Sequence, residues 1–171
     1  KELLKDIFER KIATDDFSLY LHRPTATDPS FAPAGCDSFY VLCPVPNLQS
    51  GTDWAKEGPR LRDRIVKSLD STILPGLEKC IVSDFYMTPA DFEKNYKSLW
   101  GAGFSIAPLF SQSAYFRFRN QDPKIDNLFF VGAGTHPGAG LPGVVSSAKV
   151  TDVLVDGYLK KNPSRVLVET A

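Results

Sequence analysis

The sequence predicts a mixed α/β (α+β) fold, and three stretches carry that prediction. Residues 17–23 alternate apolar and polar side chains, with the two-residue period of a strand that buries one face. Apolar residues recur at every fourth position from Leu61 to Ile73, with charged residues between them, as in an amphipathic helix. The third stretch, 127–150, runs from an apolar segment through a glycine-rich turn into a second helical pattern.

The first half of the chain is predicted to contain a helix, two paired strands and a second helix. Apolar residues at helical spacing over 2–12 indicate a helix that enters from an upstream segment. The strand at 17–23 is followed by a long loop and by an aromatic, β-branched strand at 38–45, so we expect the two strands to pair. Pro59 suits the first turn of the second helix, and Pro75–Gly76 ends it.

The second half is predicted to be less regular until its last helix. Residues 81–87 are a candidate third strand, and a short helix is predicted over 89–96. The aromatic stretch 100–118 has little periodicity, which indicates buried irregular structure or short strands. An almost continuous apolar run at 127–133 is typical of a strand covered on both faces, and a helix follows over 141–160. The apolar stripe of that helix consists of Val150, Val153, Leu154, Gly157 and Tyr158.

The composition is that of a globular protein and disfavours several function classes. Twenty basic and 20 acidic residues cancel, and no basic stripe is interleaved with aromatic residues, so we expect no nucleic-acid partner. Cys36, Cys43 and Cys80 lack metal-ligand spacing and basic neighbours, so we expect small core residues in a reducing cytoplasm and no metal site. No apolar run reaches the roughly 18 residues of a membrane span, and the first residues lack the apolar core of a signal peptide.

The glycine-rich turn at 132–143 is the strongest functional candidate. Glycines let a backbone approach a ligand without Cβ clashes, and a helix N-terminus presents unpaired N–H groups with a partial positive charge. The spacing is neither GxxxxGK[ST] nor that of a first-strand GxGxxG unit. From the pattern alone two interpretations stay open: a turn that faces a cofactor or an anion, and a tight turn that is only well packed.

Side chains with titratable or cationic groups leave similar alternatives. A lone His136 is more often a hydrogen-bonded structural histidine than a catalyst, and His22 is predicted on the polar face of its strand. Arg117 and Arg119 alternate with phenylalanines, which fits either the edge of a two-faced strand or a contact with an anion.

Three stretches of the chain resemble the bacterial and fungal carotenoid (phytoene) desaturases, of the flavin amine-oxidase-like superfamily. They are 15–48 (DDFSLYLHRPTATDPSFAPAGCDSFYVLCPVPNL), 53–66 (DWAKEGPRLRDRIV) and, above all, 127–150 (NLFFVGAGTHPGAGLPGVVSSAKV). GAGTHPGAG followed by PGV at a helix start is close to a family signature. The resemblance extends from about Leu3 to Leu159, and Leu141 departs from it because isoleucine is commoner there.

The resemblance implies an FAD-dependent enzyme that introduces double bonds into a colourless C40 polyene, to give neurosporene, lycopene or a more desaturated product. A hydride would pass from an allylic CH2 to flavin N5, with loss of a proton from the adjacent carbon, and no residue of this chain is assigned as catalytic. The implied location is cytoplasmic and peripheral to a membrane surface. The stretch 100–118 and the strand faces at 17–21 and 39–43 are then candidates for lining an apolar substrate tunnel, and the loop 24–38 for its membrane-facing entrance.

The resemblance also implies that the chain is the C-terminal portion of a two-domain flavoenzyme, with the GxGxxG unit in an N-terminal half of the same protein. Residues 1–126 would be part of the substrate-binding domain, built as a mixed sheet with helices. Residues 127–160 would be the last strand, turn and helix of the FAD-binding domain, and residues 161–171 a tail. Without the N-terminal half, the chain is expected to be inactive and to hold FAD weakly.

The FAD contacts that the resemblance implies lie on both sides of the turn. N–H groups of Val144 and Val145, at the helix start, would stabilise negative charge on the flavin pyrimidine edge. Ala133 stands where related oxidases often have an acidic residue, so that contact would come from the backbone. The complete set of expected contact residues is Gly132, Ala133, Gly134, Thr135, Pro142, Gly143, Val144 and Val145.

Two other functions stay open. The first is a related flavoenzyme with another substrate, such as a retinol saturase-like or amine-oxidase-like enzyme. The second is a non-catalytic module that binds an apolar ligand or a membrane surface. The stretch DPSFAPAGCDSFYVL resembles the desaturase substrate domain more than amine oxidases, and a lipid carrier has no need for a turn aimed at a cofactor.

Overall fold

Two compact units make up the chain, Lys1–Gly101 and Ala102–Ala171. A computed structural model describes residues 2–107 and 109–163. Strands β1 (Tyr20–His22) and β2 (Tyr40–Leu42) form one small sheet, and the helices are α1 (Glu2–Lys5), α2 (Trp54–Thr72), α3 (Leu77–Cys80), α4 (Pro89–Tyr96) and α5 (Leu141–Lys161). Helices with a two-stranded sheet agree with the predicted mixed class. The division falls before the predicted boundary at residue 126, and most of the predicted tail lies outside the described residues.

The two predicted strands of the first unit pair antiparallel, and both are shorter than predicted. Tyr20 lies opposite Leu42, and His22 lies opposite Tyr40. Leu21 is half-buried while Tyr20 and His22 face solvent, so the alternation predicted from the sequence is confirmed, including the polar face for His22.

The long loop between β1 and β2 is closed at its base by polar contacts. Arg23 Nη2 lies 2.7 Å from Asp37 Oδ2, and the Thr25 hydroxyl donates a hydrogen bond to the same carboxylate. Hydrogen bonds from Arg23 and Thr25 hold the pKa of Asp37 below its usual range. The loop can therefore leave and rejoin the sheet without disturbing the strand register.

Helix α2 begins before its predicted start, so Pro59 lies in the second turn and not in the first. The helix starts earlier because the Asp53 carbonyl accepts hydrogen bonds from the N–H groups of Lys56 and Glu57, at 3.0 and 2.9 Å. A proline this close to the N-terminus removes only one bond of the helical ladder.

One face of α2 forms most of the small core of the first unit. A Cβ at Gly58 would lie 3.1 Å from both Tyr86 Cε2 and Thr88 Cγ2, so the segment before α4 packs directly on the helix. Arg64 ties the segment before β1 to the same helix, since its Nη2 donates to the carbonyls of Thr14 and Asp15. The buried apolar side chains of α2 are Trp54, Val66 and Leu69.

Other predictions for the first unit have mixed outcomes. The N-terminal helix is present as α1 and continues as a π-helical turn over Asp6–Arg10, and α4 has the predicted bounds. The candidate strand at 81–87 is wrong: the segment pairs with no strand in the described part of the chain, and it exposes Val82 and Phe85. An apolar segment without a neighbouring strand has no ladder to join.

The core position predicted for the cysteines is also wrong for two of the three. Cys36 and Cys80 are exposed, and only Cys43 is half-buried. Burial raises the pKa of the Cys43 thiol. All three are free thiols.

The second unit is irregular from residue 102 until α5. Of the two alternatives predicted for 100–118, irregular structure and short strands, its described residues show the irregular one, with short 3₁₀ turns at Phe110–Gln112 and Ala114–Phe116. The prediction that this stretch is buried is wrong, since its exposed side chains include Phe104, Leu109, Phe110 and Tyr115.

The apolar run at 127–133 does not form the predicted continuous strand. It makes one antiparallel bridge, Gln121 to Phe129, and a parallel bridge follows between Phe118 and Thr135. Val131 is 59% exposed, so the run is not covered on both faces. Within the described chain, the segment 118–122 lies along one edge of this apolar run, and α5 packs against one face of it.

Candidate functional site

The segment before the glycine-rich turn is fastened along α5 by contacts spaced at helical intervals. The Phe129 ring lies 5.8 Å from the Tyr158 ring, edge to face. The Thr151 hydroxyl donates to the Phe130 carbonyl at 2.9 Å. Strand segment and helix therefore run past each other in opposite directions and bring the turn to the helix N-terminus.

Ser147 is the point where the turn meets the helix. The residue is fully buried, its Oγ accepts a hydrogen bond from the Gly132 N–H at 2.8 Å, and it donates to the Val144 carbonyl at 2.7 Å. The first glycine of the turn is thereby held against the first turns of α5.

The glycine at the start of α5 is required by the fold itself. A Cβ on Gly143 would lie 2.5 Å from the Gly138 carbonyl oxygen, which is closer than real Cβ contacts allow. The turn folds back onto the helix start at this point. By contrast, Gly132 and Gly140 have φ of +119° and +85°, and a Cβ on either would meet no atom within 4 Å. The backbone at these two positions is open to a bound molecule.

Arg117 holds the turn from its other side. This buried guanidinium donates from Nε to the Thr135 carbonyl at 3.0 Å and from Nη2 to the Ala133 carbonyl. Asn120, also buried, donates from Nδ2 to Thr135 Oγ1 at 3.2 Å and to the Phe130 carbonyl at 3.2 Å. The Thr135 hydroxyl is directed inward, where it also donates to the Gly132 carbonyl at 3.0 Å.

The N-terminus of α5 presents two backbone donors. The Val144 N–H already donates to the Gly140 carbonyl at 2.9 Å, in the first bond of the helix. Pro142 has no N–H group. The N–H groups of Leu141 and Gly143 have no acceptor among the residues that the structure describes. The free donors thus lie slightly N-terminal to Val144 and Val145, whose predicted N–H contacts stay a prediction.

The structure brings the predicted contact residues of the turn and the helix start together, on opposite sides of the Gly138–Gly143 contact. Sequence reasoning missed the polar residues that support them: the buried Asn120 and Ser147, and the half-buried Thr151. Ser147 and Thr151, four residues apart on one face of a largely apolar helix, were the available signal. His136 is held through its main chain, whose N–H donates to the Phe118 carbonyl at 2.8 Å.

Among the residues that the structure describes, no group of three or more histidine, cysteine, aspartate or glutamate side chains is placed to hold a metal ion. Among the described helices, none combines the length and apolarity needed to cross a bilayer.

No protein-family model matches the chain, but curated proteins do. The lycopene-forming phytoene desaturase of Pseudescherichia vulneris is 55% identical over 156 residues, which are 91% of this chain and 32% of that protein. That of Pantoea ananas is 51% identical over 88% of this chain and 31% of its own length. The neurosporene-forming phytoene desaturase of Rhodobacter capsulatus is 44% identical over 96% of this chain and 32% of its own length. The chain therefore spans about a third of the length of these relatives.

Proposed function

Because the chain belongs to the carotenoid desaturase family, we propose that it is the C-terminal portion of an FAD-dependent phytoene desaturase. The observation that carries this proposal is the 44–55% identity to proteins named as phytoene desaturases over 88–96% of the chain. The reaction class would be oxidation of a CH–CH bond to a double bond in a C40 carotenoid precursor. Relatives with different named products match comparably, so the proposal extends to the reaction and not to one product.

The turn and the start of α5 fit a flavin dinucleotide. The open backbone at Gly132 and Gly140 allows close approach, and the free N–H groups of Leu141 and Gly143 stand at the positive end of a 21-residue helix. When bound, FAD would supply the acceptor for the hydride removed from the substrate. The residues proposed to hold it are Gly132, Ala133, Gly134, Thr135, Pro142, Gly143, Val144 and Val145.

The part of this chain in the reaction is electrostatic and positional. A helix N-terminus stabilises negative charge placed against it, and fixed backbone donors need no reorganisation when that charge develops. Ser147 and Arg117 would keep those donors in place, because they hold the two sides of the turn. No side chain of the described region is proposed as the catalytic base.

A hydrocarbon substrate has no polar handle, so its binding rests on buried apolar surface, at about 0.8 kcal/mol per CH2. The exposed aromatic residues of 100–118 supply such surface: Phe104, Phe110 and Tyr115 are 69%, 87% and 84% exposed. Soluble proteins rarely expose large apolar patches unless these bind something. We propose that this stretch contacts the carotenoid or the membrane surface that delivers it. We also propose that an N-terminal half of the same protein covers the remaining exposed apolar side chains of the stretch.

A chimeric enzyme tests the proposal directly. The matching third of the lycopene-forming desaturase of Pseudescherichia vulneris is replaced by this chain, and the chimera is incubated with FAD and phytoene in liposomes. New visible absorption bands of a conjugated polyene are expected, because phytoene itself is colourless. The controls are the unaltered relative and the same relative with that third deleted.

The proposal fails if the chimera is soluble and retains flavin but yields no new polyene bands while the unaltered relative does. Activity of the deleted relative would also contradict it, because the replaced third would then be dispensable. A chimera that retains no flavin would contradict the placement of FAD at the turn.

A further inference from the structure

A cleft of about 270 Å³ opens beside the turn in the second unit, on the side where Arg117 lies. All its lining side chains can donate hydrogen bonds, and none is acidic. They are Tyr115, Arg117, Arg119, Asn120 and His136.

The two arginines of this cleft differ from every other arginine that the structure describes. Those of the first unit all form ion pairs with carboxylates: Arg10, Arg23, Arg60, Arg62 and Arg64. In the described residues, neither Arg117 nor Arg119 has a carboxylate partner. Among the described arginines, the two without a carboxylate partner therefore line the same cleft.

The missing counter-ion matters most at Arg117, because this side chain is only 8% exposed and water screens its charge little. Its Nε and Nη2 donate to the carbonyls of Thr135 and Ala133, and Nη1 makes a long contact of 3.5 Å with the Gln112 carbonyl. A guanidinium has five N–H donors, so these bonds leave two. Carbonyl dipoles satisfy donors but do not neutralise a charge, and a buried cation without a counter-ion is costly.

We propose that this cleft binds a phosphate group, carried by a phosphate ester or a diphosphate. Guanidinium groups match phosphate oxygens with paired, charge-assisted hydrogen bonds. Arg117 would supply the buried charge, and Arg119 the exposed one, with the Tyr115 hydroxyl and the His136 ring at the rim. Phosphate is favoured over a carboxylate because its three or four oxygens use more of this donor set than two oxygens do. The proposed phosphate site is inferred from the two arginines and the cleft, and it does not depend on whether FAD binds at the turn.

Inorganic pyrophosphate is the probe for a calorimetric titration of the purified protein at constant ionic strength. We expect saturable binding that Arg119→Gln weakens by roughly tenfold or more, the loss expected for one hydrogen bond between charged groups. Arg119→Lys should recover part of the affinity, because it keeps the charge but loses the paired geometry. Arg60→Gln is the matched control and should bind as the wild type does, since Arg60 lies in the first unit beside Glu57.

Arg119 is the residue to change because it is exposed and makes no hydrogen bond to the turn in the described structure, whereas Arg117→Gln would also release the carbonyls of the turn. No binding of pyrophosphate, or equal binding by R119Q and the wild type, would overturn the proposal. Acetate that binds as tightly as pyrophosphate would overturn it in favour of a carboxylate site.

Two further arms identify the carrier of the phosphate. One titrates FAD, and the other uses phosphatidylcholine vesicles with and without phosphatidic acid. If R119Q binds FAD more weakly than the wild type does, the phosphate belongs to FAD; if it binds the phosphatidic acid vesicles more weakly, the phosphate belongs to a lipid headgroup. If R119Q weakens neither but the wild type still binds pyrophosphate, the site is assigned to a soluble phosphate ester.

Discussion

Ser147 shows how much of the candidate site depends on a single hydroxyl. It is fully buried, and its oxygen joins the Gly132 N–H to the Val144 carbonyl. Replacement by alanine removes the acceptor of the half-buried Gly132 N–H, and the loss of such a hydrogen bond typically costs about 0.5–1.5 kcal/mol. We therefore expect Ser147→Ala to lower the free energy of unfolding by that amount, measured by urea titration with far-UV circular dichroism. The control is Ser146→Ala, the same change one residue earlier, expected within about 0.5 kcal/mol of wild type. Equal stability of the two variants would contradict the role of Ser147.

The backbone donor at Leu141 can be removed without touching the rest of the turn. Proline is tolerated at the first position of a helix, and the preceding Gly140 has ψ of 155°, which suits a residue before proline. In the chimera, Leu141→Pro should weaken the binding of FAD by up to roughly tenfold if that N–H contacts the flavin, because one hydrogen bond of about 0.5–1.5 kcal/mol is lost. Leu141→Ala is the matched control: it shortens the same side chain but keeps the N–H, so its affinity for FAD should stay close to that of the unsubstituted chimera.

Fluorescence titration of the apoprotein with FAD measures both variants. If the proline and alanine variants bind FAD equally, the N–H of Leu141 is not a flavin contact. Gly143 is a poorer position for this test, because any side chain there would collide with the Gly138 carbonyl and disturb the turn itself.

At the scale of elements, helix α4 has an N-terminal cap that should respond to pH. The Thr88 hydroxyl and N–H both donate to Asp91 Oδ2, at 2.6 and 2.8 Å, and the Asp91 N–H donates back to the hydroxyl at 3.4 Å. The hydrogen bonds from the Thr88 side chain and backbone lower the pKa of Asp91. Because the folded-state pKa lies below the unfolded one, this stabilisation is present above the ordinary aspartate pKa and is lost as pH falls through the folded value.

The corresponding test compares Thr88→Ala with the wild type in urea titrations at neutral pH and below about pH 3.9, the ordinary pKa of aspartate. At neutral pH the variant should lose about 1 kcal/mol, the usual cost of a missing cap. In acid the difference should narrow, because a protonated Asp91 contributes less in either protein. A difference that stays constant with pH would show that the carboxylate does not contribute through this cap.

Local patterns predicted those elements whose stabilising contacts lie close by in the chain. The period-two alternation around Leu21 and the short helix over 89–96 agree with the structure, because each depends on neighbours within the first unit. The apolar run at 127–133 and the segment 81–87 were predicted as strands and are not. A strand needs a partner ladder as well as the right side chains, and the described chain offers neither segment a full one.

The candidate site likewise has features that local sequence patterns predicted and features that they did not. Its glycines and helix start were visible in the sequence, whereas the carbonyl contacts of Arg117 and the inward hydroxyl of Ser147 depend on the path of an irregular segment. No period describes such a path, so sequence reasoning left Arg117 with two interpretations. The structure adds its burial and its lack of a carboxylate partner among the described residues.

At the scale of the whole molecule, many large apolar side chains face solvent, including Phe85, Phe110 and Tyr115. The chain matches about a third of the length of its relatives, and the candidate flavin contacts lie on one turn and one helix start. A dinucleotide held on one side would bury little of its surface, and association must first offset several kcal/mol of lost translational and rotational freedom. We therefore expect the 171-residue chain, mixed with FAD and passed through a gel-filtration column, to elute without flavin absorbance. The chimera with the remaining two-thirds of the Pseudescherichia vulneris relative should elute yellow under the same conditions. Flavin retained by the chain alone would show that the turn suffices for binding, and would place the whole cofactor site within these residues.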